Sequence, residues 1–338
     1  MDLFRKSGFA AACACAVFAV GPASAQGVSF SGDWETGITG RGTWGSRQTV
    51  SEDRIQRVIS PVRQGRYAAR VEVRPGDDPI NSSGERSEVL IMTDAQGNKI
   101  YENESSGTQW FAYSVMIAPG WQAPSGWALL FQLHGPDRYA ASPSIGMTCK
   151  DAFGIDITAG DLHGGNPTKN KYRAFSDGSL NEGTWVDFLM KVKFARDSSG
   201  SVTVWRRNQG RTAFAKVYAA NTPTLQYNGN TVENHYWKHG LYRGISNVTN
   251  VLYLDGMMRG TDSAAVVRAA FSGAVSVVLR DRASQRNTPT GATIRLPGAG
   301  IGLWVTPATP ENSRIRAATV DGKAIWAIRP MSPPPSRE

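Results

Sequence analysis

The sequence predicts an all-β protein, an antiparallel β-sandwich, and three observations carry that prediction. Gly, Trp, Tyr, Thr and Val are abundant and helix-length periodic stretches are few. Short alternating runs are separated by Gly, Asn, Asp and Pro, the punctuation of hairpins and loops. One such run, Trp185 to Phe194, reads directly as half of a hairpin. In it Val186, Phe188, Met190, Val192 and Phe194 share one face, and Asp187, Lys191 and Lys193 take the solvent face. The turn Asp197-Ser198-Ser199-Gly200 then leads into a return strand at Val202-Thr203-Val204-Trp205.

Taken in order, the chain opens on a segment that is not part of the fold. Arg5 and Lys6 precede an apolar run from Phe9 to Val20, and Ala23-Ser24-Ala25 is the small-residue pattern of signal-peptidase cleavage. The run is short of the roughly 20 residues needed to span a bilayer. Residues 1–25 are therefore expected to be a removed leader, and the product to be exported, to the periplasm or beyond. Cys13 and Cys15 leave with it. Cys149 remains alone, so no internal disulfide forms, and a lone cysteine of this kind reads as a small apolar filler.

Further strands are expected at Tyr67 to Val73, Glu85 to Met92, Gln109 to Ile117, Ala128 to His134, Phe153 to Thr158, Tyr236 to Arg243 and Val251 to Met257. Asp262 to Ala270 reads equally as a short helix or as the last strand. The main domain is expected over residues 27–270. Residues 271–328, apolar-rich at Val275 to Leu279 and Ala292 to Leu296, read as a β-rich extension, and 329–338, with Pro333-Pro334-Pro335, as a disordered tail.

The formal net charge of the 338-residue chain is +9, and the leader contributes little of it. A positive surface steers polyanions toward it. Export argues against nucleic acid, and no Lys/Arg-rich block or basic amphipathic helix favours a membrane. An acidic polysaccharide is the partner left, met by a monomer.

Three strands carry polar residues on one face. Arg86 and Glu88 point the same way in Glu85 to Leu90. Gln132 and His134 share a face of Leu129 to His134, with Leu129, Phe131 and Leu133 on the other. Tyr236, Lys238, Gly240 and Tyr242 share a face of Tyr236 to Arg243, with Trp237 and Leu241 opposite. Each strand alone is an ordinary solvated face; side by side they would display Arg, Gln, His, Lys and two Tyr over a glycine floor.

These segments, Arg86-Ser87-Glu88, Gln132-Leu133-His134 and Tyr236-Trp237-Lys238-His239-Gly240-Leu241-Tyr242, resemble the signature strands of the jelly-roll polysaccharide lyases: the alginate lyases, the glucuronan lyases and the heparin lyase I group. The resemblance covers about residues 30 to 265. It implies a concanavalin-like jelly roll of two antiparallel sheets with a concave substrate groove, and β-elimination at a uronate. The alginate enzymes follow Arg-x-Glu with Leu and Arg, where this chain has Val89 and Leu90. They end the third strand in Gln, where this chain has Arg243-Gly244. Both departures lean toward the glucuronan and heparin lyase side.

The resemblance also implies roles. The C5 hydrogen of a uronate is α to a carboxylate, so its removal requires that carboxylate to be neutralised; Arg86 and Gln132 would do this, Arg through its planar fork. His134 and Tyr242 would be the acid–base pair. With C5–H and leaving group on one side of the ring, Tyr242 would serve as both; with them opposed, His134 would be base and Tyr242 acid. A tyrosine base needs a neighbouring cation, a part for Lys238 or Arg86. Lys238, Tyr236, Glu88 and Arg243 would bind substrate, Glu88 by orienting Arg86. His163, in a loop, would line the cleft, while His235 and His239 fall opposite Tyr242 and read as structural. No cofactor is implied. Some relatives carry a structural Ca²⁺, and the sequence has no dense Asp/Asn run of the EF-hand kind.

Two rivals are weighed. A β-sandwich glycosidase needs two carboxylates facing the scissile bond, and Glu88 is the only acid of the three strands save Glu85, which lies on the other face. A lectin-like module explains fold and charge without requiring Arg86, Gln132, His134 and Tyr242 together.

Overall fold

The computed structural model describes residues 27–81, 84–136, 141–163 and 168–271, and beyond them the short strands Leu279–Arg280, Thr319–Val320 and Lys323–Ala324. The expected leader, most of the expected extension and the expected tail lie outside the described residues.

Seventeen strands and one helix make up the body. The first strands are β1 (Val28–Gly32), β2 (Trp44–Gln48), β3 (Ile55–Val58), β4 (Ala68–Val73), β5 (Glu85–Met92) and β6 (Thr108–Ile117). The middle ones are β7 (Ala128–His134), β8 (Ile145–Cys149), β9 (Phe153–Asp161), β10 (Thr168–Ala174), β11 (Val186–Lys193) and β12 (Ser201–Asn208). The last are β13 (Phe214–Asn221), β14 (Gln226–Asn228), β15 (Thr231–Val232), β16 (Tyr236–Arg243) and β17 (Asn250–Gly260), followed by α1 (Ser263–Ala270). They form two large sheets. One runs β13-β12-β11-β6-β17-β4-β3, with β1 added on β17 and Leu279–Arg280 on β13; the other runs β15-β14-β9-β8-β7-β16-β5-β2, with β10 added on β9. Most pairings are antiparallel and neighbours in the sheet are often distant in sequence, as in a jelly roll. Within residues 67–257 every strand expected from the sequence forms.

The core lies between the inner faces. Phe111, Tyr113, Phe188, Met190 and Val204 of the first sheet meet Phe131, Leu133, Met147, Ile155, Trp237 and Leu241 of the second. Phe131 stacks flat on Trp237, their centroids 4.3 Å apart, and Phe111 reaches across to the same indole at 4.7 Å. Cys149 is buried and unpaired, and burial pushes its thiol up, away from a reactive thiolate.

The outer face of the first sheet is also covered. Asp262 caps α1, its carboxylate accepting from the Ala265 amide at 2.6 Å. That cap settles the helix-or-strand ambiguity, and Val266, Val267 and Ala270 then pack on Ala112, Leu189 and Met258. Asp187, expected to face solvent, is instead fully buried. It accepts from Arg63 at 2.9 and 3.0 Å, from Ser114 at 2.7 Å and from Arg207. Strand alternation places its side chain outward correctly; the segment carrying Arg63 then closes over it. The same segment is pinned by Asp255, whose Oδ2 accepts from the amides of Arg63 and Gln64 at 2.8 and 3.0 Å.

Burial raises the Asp255 carboxyl to about 7. The folded state thus keeps a proton that the unfolded chain releases near pH 4. The group's stabilising contribution is full in acid and lost as pH rises through 7. We predict that Asp255→Asn gains on wild type between pH 5 and pH 8, by on the order of 2 kcal/mol in urea unfolding; a pH-independent difference between the two would refute this.

Candidate active site

The three polar strands are neighbours at the centre of the second sheet, in the order β7-β16-β5. Register brings Tyr236 opposite His134, Lys238 opposite Gln132, Gly240 opposite Glu88 and Tyr242 opposite Arg86. Directly opposed residues share a face, so the polar set faces outward together while Phe131, Leu133, Trp237 and Leu241 enter the core.

Two irregularities shape this face. The β16–β7 register shifts between His239 and Tyr242, and the β7–β8 register shifts between Leu129 and Phe131. The core consequently takes Ala128, Leu130, Phe131 and Leu133. Leu129, expected inside by simple alternation, falls opposite Tyr242, because a bulge lets two successive residues point the same way. Gly240 lies within the first irregularity. A Cβ there would lie 2.2 Å from the Ser87 carbonyl oxygen and 2.7 Å from the Glu88 Cα, so β16 approaches β5 too closely for any side chain.

The side chains form two tiers. Arg86, Glu88, Gln132 and Lys238 are buried; His134, Tyr236 and Tyr242 are half-buried above them. Arg86 lies with its guanidinium 3.6 Å over the Tyr242 ring and its Nη1 3.6 Å from Glu88 Oε2. Glu88 Oε1 accepts from Gln132 Nε2. One carboxylate therefore orients both the guanidinium and the amide expected to face a substrate carboxylate. Gln132 Oε1 has no partner among the described residues, and a buried acceptor left open in this way suits a hydroxyl donor from a ligand.

His134 Nδ1 lies 2.6 Å from the Gly135 carbonyl. A carbonyl only accepts, so Nδ1 carries a proton; in the neutral imidazole the lone pair is then on Nε2, the tautomer a general base requires. Its ring stacks on Tyr236, centroids 5.1 Å apart. Lys238 Nζ stands 3.2 Å from Gln48 Oε1 and 5.6 Å from the Tyr236 ring. On the other side of Tyr242 stands Trp127, centroids 4.2 Å apart and nearly perpendicular.

Not every expected residue joins. Arg243 does not: it is fully buried on the opposite face, held by Glu85 at 2.7 Å and by Asn250. Its neighbour Tyr242 points to the cleft, so alternation sends Arg243 inward, where Glu85 meets it. His163 lies exposed on the turn after β9. His239 sits among Trp44, Tyr113 and Phe131, and burial lowers it to about 3. His235 accepts from the Gln226 amide at 2.9 Å and bonds the Glu233 carbonyl at 2.8 Å; burial and His134 lower it to about 3. Both are neutral parts of the scaffold.

Gln48, Trp127 and Asp156 were not singled out from the sequence. Gln48 belongs to the short edge strand β2 and bridges Lys238 and Arg86, its Oε1 3.5 Å from Arg86 Nη1. Trp127 is the aromatic end of the turn before β7, a signal legible in the sequence. Asp156 stands opposite Gly146, which stands opposite Gln132, and burial raises its carboxyl. Among the described residues no group of His, Cys, Asp and Glu is placed to hold a metal ion.

This is the jelly-roll scaffold of enzymes that cut acidic polysaccharides by elimination. The family model described as polysaccharide lyase matches residues 32–258, more than half of the chain, and the chain belongs to that family. No curated protein matches in sequence. Among solved structures, the endo-β-1,4-glucuronan lyase of the fungus Trichoderma reesei is similar, with a TM-score of 0.53 at 17% identity, covering 71% of this chain and 98% of that one. The PL-14 alginate lyase of Aplysia kurodai, at 13% identity and a TM-score of 0.43, covers 71% of this chain and 100% of its own.

Gly240→Ala is expected to force β16 away from β5, at on the order of 1–3 kcal/mol as for other overpacked sites. Thermal unfolding checks it, and an unchanged melting temperature would show that the two strands separate freely.

Proposed function

We propose that this polysaccharide lyase cleaves a uronate polymer by β-elimination, with a glucuronan-like chain favoured, alginate next and a heparin-type chain third. The observation that carries the reading is the meeting of Arg86, Gln132, His134 and Tyr242 on one face of three adjacent strands. The glucuronan preference rests on Val89, Leu90 and Arg243-Gly244 standing where alginate enzymes differ, and on the fold of the fungal neighbour.

In the reaction, Arg86 and Gln132 offset the charge that builds on the uronate carboxylate as the C5 proton leaves. Donors aimed at developing charge are worth ~10²–10³ each in rate. The C5–H electron pair becomes the C4=C5 double bond, the C4–O bond breaks, and the bridging oxygen takes a proton. His134, with its lone pair on Nε2, removes the C5 proton when the leaving group is on the opposite side of the ring; Tyr242 does so when both are on one side. In either case Tyr242 protonates the departing oxygen. No step requires a cofactor. The protein acts as a monomer, outside the cytoplasm after loss of residues 1–25.

The decisive assay incubates the mature chain with glucuronan, polymannuronate, polyguluronate, hyaluronan and heparin and follows the ultraviolet absorbance of the unsaturated uronate. Absorbance should rise on glucuronan, and Tyr242→Phe should abolish the rise while keeping fold and binding. Binding of a polymer without any rise would make the protein a lectin and strip His134 and Tyr242 of their roles.

The mature chain, without Asp2, Arg5 and Lys6, keeps a net charge of about +8, which should steer the polymer. Raising salt from about 0.05 to 0.5 M, which shortens the screening length severalfold, should therefore lower kcat/KM. A salt-insensitive rate would mean that only short-range contacts hold the substrate.

A further inference from the structure

Trp127 is the sole aromatic among the large hydrophobic side chains exposed in the described structure, at 37% exposure, and it stands beside the site. Its indole is 4.2 Å from the Tyr242 ring. Its carbonyl accepts from the Gly244 amide at 3.0 Å, which ties it to the chain just after Tyr242 and Arg243. Gly84 closes the far edge: a Cβ there would lie 3.4 Å from Trp127 Cη2. An isolated exposed aliphatic residue needs no explanation, whereas an exposed tryptophan adjoining a polar cleft points to a ligand with an apolar face. A pyranose has such a face in its axial C–H groups, and an acidic sugar keeps it whatever its carboxylate does.

The position along the site says which sugar this is. His134 and Tyr236 occupy one end of the polar face and Tyr242 the other, with Trp127 beyond it. The uronate that loses its proton lies over Arg86, Gln132 and His134. Tyr242 delivers the proton to the bridging oxygen, so the ring next beyond it is the one that departs.

We propose that Trp127 is a stacking subsite for the departing sugar of the acidic polysaccharide. The assignment of the departing ring rests on the elimination reading above; the existence of a sugar-stacking subsite does not.

The test compares wild type, Trp127→Ala and Trp127→Phe on the polymer that wild type cleaves. Trp127→Ala should raise KM about tenfold with kcat within about threefold, the pattern of lost uniform binding, and Trp127→Phe should fall between. A drop in kcat at unchanged KM would mean that Trp127 only braces Tyr242 and would overturn the proposal, as would no change in either constant. Should wild type cleave no uronate polymer, the elimination reading fails, and the subsite is judged by affinity electrophoresis in gels containing the same polymers. Weaker retardation of Trp127→Ala supports it; equal retardation overturns it.

Discussion

The inward face of β16 packs Trp237 flat on Phe131 and tilted on Phe111, with Leu241 beside them in the core. A strand slipped by one residue would exchange its two faces, putting Lys238 and Tyr242 into the core and Trp237 into water. Burying those apolar side chains therefore fixes where the polar ones go, and the site inherits its geometry from the core. The indole N–H of Trp237 needs a partner once buried. It finds Glu102 at 3.1 Å, and Glu102 in turn accepts twice from Arg259 of β17, at 2.7 and 2.8 Å. A buried ion pair thus ties the central strand of the catalytic sheet to the opposite sheet.

Buried carboxylates recur in this role. Glu102 joins the sheets, Asp187 holds the covering segment through Arg63 and its neighbour strand β12 through Arg207, and Glu88 holds Arg86 and Gln132. Such pairs stabilise little against an apolar replacement, but removing one member strands a charge and costs about 3–5 kcal/mol. Their value here is position. Arg86 is confined between Glu88 and the Tyr242 ring, and Gln132 Nε2 gives one of its two hydrogens to Glu88, leaving the other for a substrate carboxylate. Groups fixed before substrate arrives need no reorganisation as charge develops.

What was legible in the sequence follows from what is local. The two-residue period of a strand puts Arg86 with Glu88, Gln132 with His134 and Tyr236 with Lys238 and Tyr242, and all three pairings stand in the structure. Leu129 was misplaced because a bulge depends on the partner strands, which no single strand announces. Arg243 looked like a cleft residue because its neighbours are; its true partners, Glu85 and Asn250, come from two other strands. Asp187 was assigned to the correct face, but the segment that buries it lies 124 residues away in sequence. Gln48 sits on a short edge strand whose alternation is too brief to read.

The structure also bears on why this face should eliminate rather than hydrolyse. A glycosidase places two carboxyl groups about 5–9.5 Å apart across the scissile bond. Among the described residues of the catalytic sheet's strands, two acids stand on the outward face, Glu88 on β5 and Asp156 on β9. In the sheet these strands are separated by β16, β7 and β8, four steps of about 4.8 Å each, which is twice the widest separation that hydrolysis uses. Glu88 is moreover buried, with Oε1 accepting from Gln132 and Oε2 facing the Arg86 guanidinium at 3.6 Å, so its charge is directed to those two side chains. What lies between the two acids is the set an elimination needs: a cation and an amide beneath, a histidine with its lone pair on Nε2, and a tyrosine. The fold alone would host either chemistry; the spacing of its carboxylates argues for one.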